Sequence, residues 1–347
     1  MSENKRIRVL IADDSMMFRE AFRRGLDAQA DIEVIGVAND AIEAKDKILS
    51  LHPDVVTLDV EMPKMDGIKF LRKLMPIYPV PVIVISHLKE SVFEALDAGA
   101  VDFVSKPGNL EDLSVFLKDI AVKIRTASKV QFAFRREKSE IVQIDLSPIG
   151  VCGEVDPTSV VAIGASIGGT EAIYSILSKF SKNMPGLVIV QHMPTDFTKR
   201  FAERLDQTCL IDVKEAEDGD RILPGRALVA PGGMQMRVKN ASDGLYVSCQ
   251  KEAKVSGHCP SVDVLFHSVA EVVGRKAVGV ILTGMGADGS AGLLKIRQAG
   301  GRTIGQDEKS SVVYGMPMAA FVSGGVMLQL PLYRIPDELV RQVALLG

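Results

Sequence analysis

IRVLIADD, residues 7–14, decides how the first part of this chain is read, because an unbroken apolar run ends there in two carboxylates. Similar short runs rich in β-branched residues follow: IEVIGVA (32–38), DVVTLDV (54–60), PVIVIS (81–86) and VDFVS (101–105). Helix-like stretches such as SMMFREAFRRGL (15–26) separate them. Apolar strands alternating with helices predict five βα units and a parallel, doubly wound sheet over residues 5–125. Ligands of such sheets gather outside the carboxyl ends of the strands. The marked residues fall there: Asp13 and Asp14 after the first strand, Asp59 after the third, Ser86 after the fourth and Lys106 after the fifth.

Clustered carboxylates repel one another, so a pocket built from Asp13, Asp14 and Asp59 calls for a cation, and hard oxygen ligands suit Mg²⁺. A phosphoryl group moved onto Asp59 would be held by that metal, by the charge of Lys106 and by the hydroxyl of Ser86. The structural alternative makes Asp13 and Asp14 a turn and a helix N-cap. Lys106 precedes Pro107, and that pair is a candidate for a cis bond, since cis peptides are almost confined to X-Pro.

A length of 347 residues suits two domains, each with its own core. The net charge of −3 and a pI near 6.0 give no general pull toward nucleic acid or anionic membrane. The four cysteines form no CxxC pair, the opening MSENKRIRVL lacks the apolar core of a signal peptide, and no apolar run reaches the ~18 residues of a membrane span. The expectation is a soluble, cytoplasmic protein without direct membrane insertion. Its organisation is expected to be a first domain over 1–125, a linker over 126–157 and a second domain over 158–347. The linker's basic stretch TASKVQFAFRREKSE (126–140) is read as solvated, with an interaction patch as the sharper option.

The second domain opens with SVVAIGASIGGTEAIYSIL (159–177), an apolar strand, a glycine-rich turn and a helix. Gly164, Ser166 and Gly168 satisfy G-x-S-x-G, which exposes a hydroxyl on a sharp bend, while the helix that follows offers its amides to an oxyanion. Glycine-rich βα turns also bind phosphate, but a dinucleotide turn asks for G-x-G-x-x-G, and Ser166 replaces the central glycine. The next strand, GLVIVQH (186–192), ends in His192, the natural base. His258, in the loop KVSGHCPSVD (254–263), is the other serious histidine, suited to lining a substrate cleft. AVGVILTGMGADGSAGL (277–293) supplies one acid, Asp288, which either orients the imidazole or caps the following helix. The chain order Ser, His, Asp differs from that of α/β-hydrolases.

With these residues quoted, the first 125 positions resemble the receiver domain of two-component response regulators, through the DD pair, LDVEMPKMDG (58–67), VIS (84–86) and Lys106-Pro107. The resemblance implies a flavodoxin-like domain with strand order 2-1-3-4-5, phosphorylation of Asp59 by a histidine kinase, and switch positions at Ser86 and Phe103 beside Lys106. Residues 158–347 resemble the catalytic domain of the CheB family of chemotaxis protein-glutamate methylesterases. AIGASIGG, QHMP, APGG, GHCPSVDVLF, LTGMGADG and GQDEKSSVVYGMP carry that likeness. It implies a Rossmann-like α/β domain and a Ser166, His192, Asp288 triad that needs no cofactor. The backbone amides of Ile167 and Met285 would form the oxyanion hole. Its implied substrates are methylated chemoreceptors, with deamidation of receptor glutamines as a second reaction, and it implies an unphosphorylated receiver that obstructs the triad. Ile167 departs from the threonine usual in the family. The alternative output is DNA or nucleotide binding; acidic and basic residues balance from Val151 onward and no basic recognition helix stands out, so no nucleic-acid partner is expected.

Overall fold

The computed structural model describes residues 6–62, 65–87, 89–108, 112–130 and 148–346. The chain divides into two compact units, Met1–Arg135 and Arg136–Gly347. Among the described residues no helix is long and apolar enough to cross a membrane.

In the first unit β1 (Ile7–Ala12), α1 (Met16–Asp27), β2 (Ile32–Ala38), α2 (Ala41–Leu51), β3 (Val55–Asp59), α3 (Gly67–Leu74), β4 (Val82–Ser86), α4 (Lys89–Asp97), β5 (Asp102–Ser105) and α5 (Leu113–Ala127) alternate along the chain. The strands form one parallel sheet in the order β2-β1-β3-β4-β5. Its central strands, β3 and β4, are buried along their whole length, as the continuous apolar runs require. Sheet-flanking helices begin where polar side chains satisfy orphan amides: Asp40 accepts from Ile42 and Glu43, and Asp66 from Ile68 and Lys69. Ser15, not Asp14, caps α1 by accepting from Phe18, so the helix-cap reading of the acidic pair fails. A serine hydroxyl does that work, which leaves both carboxylates for other partners. Helix α3 starts against the end of β3: a Cβ on Gly67 would lie 2.6 Å from the Asp59 carbonyl oxygen and 2.9 Å from Val60 Cα.

In the second unit β6 (Val160–Ala165), α6 (Gly169–Leu177), β7 (Gly186–Gln191), α7 (Thr195–Thr208), β8 (Asp212–Glu215) and β9 (Arg226–Val229) precede a hairpin of β10 (Gln235–Ala241) and β11 (Gly244–Gln250). After it come α8 (Val262–Val272), β12 (Ala277–Ile281), α9 (Ser290–Gln298), β13 (Arg302–Gln306), α10 (Met316–Val322), β14 (Leu328–Leu330) and α11 (Ile335–Ala344). Seven strands make a parallel sheet, β14-β13-β12-β6-β7-β9-β8, while β10 and β11 pair antiparallel with each other. From β6 the chain moves to β7 on one side and later returns to β12 on the other. Beyond the carboxyl end of β6 this reversal opens the crevice in which α/β sheets place their ligands.

Both units are therefore parallel-sheet α/β domains. Residues 131–147, with most of the basic stretch read as a linker or patch, lie outside the described residues. Upstream of β6, Ile149 already donates to Lys179 and Val151 to Asn183.

Gly67→Ala is expected to weaken the first unit by about 1–3 kcal/mol, because the added methyl meets backbone that has no rotamer to escape into. Hydrogen exchange of β3 and β4 amides should register that loss while β6 and β7 amides keep their protection. Equal protection of β3 in both proteins would refute the close approach.

Candidate active site and phosphoacceptor pocket

In the first unit the carboxylates of Asp13, Asp14 and Asp59 place one oxygen each within 4.8 Å of the others, with Asp13 and Asp59 buried and Asp14 exposed. Lys106 Nζ lies 2.7 Å from Asp13 Oδ2 and 2.5 Å from Asp59 Oδ2. Backbone amides hold the outer oxygens: Ser15 donates to Asp13 Oδ1 and Glu61 to Asp59 Oδ1, both at 2.9 Å. Asp13 Oδ2 is buried and, despite the nearby ammonium, receives no hydrogen bond of good geometry. Burial first, and then the Asp59 charge, raise the Asp13 pKa to about 6 against the pull of Lys106. Burial opposes the Lys106 charge, yet Asp13 and Asp59 together outweigh it and raise its pKa. Three hard carboxylates, two of them buried, gathered around a single ammonium form a ligand set that fits a divalent cation such as Mg²⁺.

Ser86 ends β4 with its Oγ 3.1 Å from Ser91 Oγ, and Lys106 N–H donates to the Ser86 carbonyl at 3.1 Å. Phe103 is buried on β5, opposite Val84. Asp13, Asp14, Asp59 and Lys106, which the sequence placed at strand ends, lie together in the fold. The Lys106–Pro107 bond, however, is trans; among the described residues the X-Pro bond in cis is Cys259–Pro260. Trans is the resting preference of an X-Pro bond, and the ion pairs of Lys106 reach the carboxylates without leaving it.

In the second unit Ser166 follows β6 and His192 follows β7, adjacent strands paired up to Ala165 and Gln191. The Ser166 amide donates to Thr283 on the β12 side (3.0 Å), and the chain then turns through left-handed Gly168 into α6. His192 N–H donates to the Ala165 carbonyl at 3.0 Å. Gln191 Nε2 ties the two ends together, donating to the carbonyls of Ser166 (2.8 Å) and His192 (3.2 Å). Thr283 Oγ1 donates to the Ile167 carbonyl at 2.9 Å and fixes the turn from the other side. Met285 stands two residues beyond Thr283 in the loop after β12.

Asp288 meets His192: Nε2 and Oδ2 are 2.8 Å apart. It does not cap α9, whose N-cap is Gly289. Instead it takes the donors at the start of α8, with Val262 N–H to Oδ2 at 2.8 Å, Asp263 N–H to Oδ1 at 3.0 Å and Ser261 Oγ to Oδ1 at 2.8 Å. Burial works to raise the Asp288 pKa, but His192 and these donors outweigh it and hold the carboxyl below its ordinary value. His192 Nδ1 is buried and, among the described residues, has no hydrogen-bond partner. Ser166 is half-buried, and no hydrogen bond joins its Oγ to the imidazole in this resting structure. Such bonds are often long before substrate closes the site.

His258 lies face to face on His192, ring centroids 3.7 Å apart and 5° from parallel. Val255 and His258 exchange both backbone hydrogen bonds around Ser256 (φ 52°) and Gly257 (φ 85°), a two-residue turn of the kind that matches strand twist. Sequence reading placed His258 near a cleft but missed this stack, along with the roles of Ser261, Gln191 and Thr283. The Ser-Gly pair between Val255 and His258 was the available sign of a tight hairpin.

A receiver-type carboxylate pocket followed by an α/β unit with a histidine–aspartate pair beside a half-buried serine on a strand-end turn defines a response regulator with a hydrolase-like output. The response regulator receiver domain model matches residues 9–118, and the CheB methylesterase model matches 161–339. A protein-glutamate methylesterase/protein-glutamine glutaminase 2 of Syntrophomonas wolfei is 51% identical over 341 residues, covering 98% of each chain. The corresponding Escherichia coli enzyme is 44% identical over 345 residues, 98% of this chain and 97% of its own. Among solved structures, the Thermotoga maritima CheB methylesterase catalytic domain aligns with a TM-score of 0.52 at 39% identity, over 53% of this chain and 97% of that one. The chain belongs to the CheB methylesterase family. A DNA- or nucleotide-binding output finds no support in these matches.

Burial, reinforced by the neighbouring His192 and Lys254 and opposed by Asp288, lowers the His258 pKa from 6.5 to about 4. Between those values the unfolded chain binds more protons than the folded one, so stability falls as pH drops from 6.5 toward 4 and carries no such penalty above 6.5. His258→Phe is expected to flatten this acid limb in urea midpoints measured from pH 7 to pH 4. An unaltered slope would assign the limb to other groups.

Proposed function

We infer that this chain hydrolyses glutamate methyl esters on chemoreceptors, and deamidates receptor glutamines, under control of phosphorylation at Asp59. The observation that carries the reading is the 2.8 Å His192–Asp288 bond, which leaves a buried, unpartnered Nδ1 beside the strand end that presents Ser166. With Nε2–H committed to Asp288, Nδ1 is the basic nitrogen. It takes the Ser166 proton as Oγ attacks the ester carbonyl, and the amides of Ile167 and Met285 receive the oxyanion. The imidazolium, balanced by Asp288, returns the proton to departing methanol; for a glutamine side chain ammonia departs instead. Water, deprotonated by the same nitrogen, then opens the acyl-enzyme to a glutamate carboxylate. Isoleucine at 167 supplies an amide but no hydroxyl to this step.

In the first unit Asp13, Asp14 and Asp59 would hold Mg²⁺, which neutralises an incoming phosphoryl group. Lys106 balances charge at Asp59, and Ser86, at the neighbouring strand end, offers a hydroxyl to the phosphoryl oxygens. A histidine kinase is the phosphodonor, and the esterase reaction itself needs no cofactor. Ser86, Phe103 and Lys106 serve as switch positions. This chemistry belongs in the cytoplasm, where receptor methylation regions and kinase meet, and it involves neither nucleic acid nor membrane insertion. The working boundaries are a receiver over 1–125, a linker over 126–157 and a catalytic domain over 158–347.

Ser166→Ala should lose on the order of 10⁶ in kcat for methanol release from methylated receptor membranes; retention of most activity would remove Ser166 as nucleophile. Asp59→Asn should keep the basal rate but no longer respond to a small-molecule phosphodonor, and persisting stimulation would move the phosphoacceptor elsewhere.

A further inference from the structure

Gln235 opens β10, in the hairpin that stands outside the parallel sheet, and its side chain is completely buried. All of its side-chain hydrogen bonds go to one segment, residues 253–261. Oε1 accepts from Ser261 N–H at 2.8 Å, and Nε2 donates to the carbonyls of Ala253 and His258, both at 3.2 Å. Residues 251–257 are exposed, so this segment has little packing of its own to fix it. Yet it carries two groups that touch the Asp288–His192 pair. His258 covers the face of the His192 ring, and Ser261 Oγ donates to Asp288 Oδ1.

We propose that Gln235 is a positioning residue for the hydrolytic reaction, clamping residues 253–261 so that His258 and Ser261 hold the imidazole and carboxylate in working alignment. The proposal rests on the roles given above to Ser166, His192 and Asp288. One side chain reads both ends of the segment at once: its acceptor fixes Ser261 at the start of α8, and its donors fix the base of the turn that presents His258. Removing it leaves the Ser261 amide and the Ala253 carbonyl without their partner and takes from the His258 carbonyl one of its two donors. The carbonyls on the exposed side of the segment turn toward water, and the buried Ser261 amide shifts in search of another acceptor. The ring and the carboxylate then lose their lateral supports, and small misplacements of reacting groups are costly, up to about 10²-fold per ångström.

The test uses the full-length chain with phosphodonor and methylated receptor membranes, comparing the parent with Gln235→Leu and Gln235→Glu. Gln235→Leu should lower kcat by about 10- to 10²-fold and leave KM unchanged, since a fully buried side chain contacts no substrate. The low-field proton resonance of the His192 Nε2–H···Asp288 bond should broaden or vanish. Gln235→Glu keeps the shape and the acceptor for Ser261 but lacks the paired donors, so it should show a smaller kcat loss and retain the resonance. A folded Gln235→Leu protein with parental kcat and resonance would overturn the proposal, as would a change confined to KM. Should Gln235→Leu not fold, Gln235→Glu decides: lowered kcat at parental KM supports the clamp, and parental kcat sinks it. Failure of the underlying reading looks different, because Ser166→Ala would then remain active. With Ser166→Ala inactive and both Gln235 variants unimpaired, only the clamp is lost.

Discussion

The second unit depends on a carboxylate that is buried without being stranded. Taking Asp288 out of water carries a penalty of several kcal/mol, and removing a partner from such a group leaves an uncompensated charge. Four donors meet it: the imidazole of His192, the Ser261 hydroxyl and the first two amides of α8. Three of the four come from one helix start, whose dipole also favours a negative charge. The carboxyl therefore stays ionised, and the orientation of His192 follows from where that charge is fixed. The start of α8 and the position of His192 thus depend on the same carboxylate.

The first unit treats buried carboxylates in the opposite way. Asp13 and Asp59 share a single ammonium, and the Asp13 pKa is raised to about 6 where that of Asp288 is lowered. Two buried carboxylates on one ammonium leave negative charge that a cation would neutralise. A site that must always be ready is neutralised from within. The pocket of the first unit is short of positive charge, and a bound cation there would change the local balance around Lys106.

The same contrast explains what could be read from the chain. Asp13, Asp59, Ser86, Lys106, Ser166 and His192 lie at or beside strand ends, where a short apolar run fixes position and direction together, so spacing alone gathered them. Asp288 was found because it follows β12, and the alternative of a cap on α9 fails because α9 is next in sequence while α8 is next in space. Gln235, Ser261 and His258 belong to a hairpin and a loop whose geometry is set by side-chain bonds to backbone, for which periodicity gives no signal. The β10–β11 hairpin itself alternates weakly between buried and exposed positions and was not anticipated.

The stacked histidines follow from the same electrostatics. When Nδ1 of His192 accepts a proton, a positive ring forms within 3.7 Å of a second imidazole. A charged neighbour there would oppose that step; burial keeps His258 neutral down to a pH of about 4, so its ring face meets the imidazolium as an uncharged π surface. Asp288 balances the ring at one edge, His258 covers one face, and the remaining nitrogen has a single direction in which to act. The buried environment that makes His258 a poor base thus keeps it an uncharged neighbour for His192.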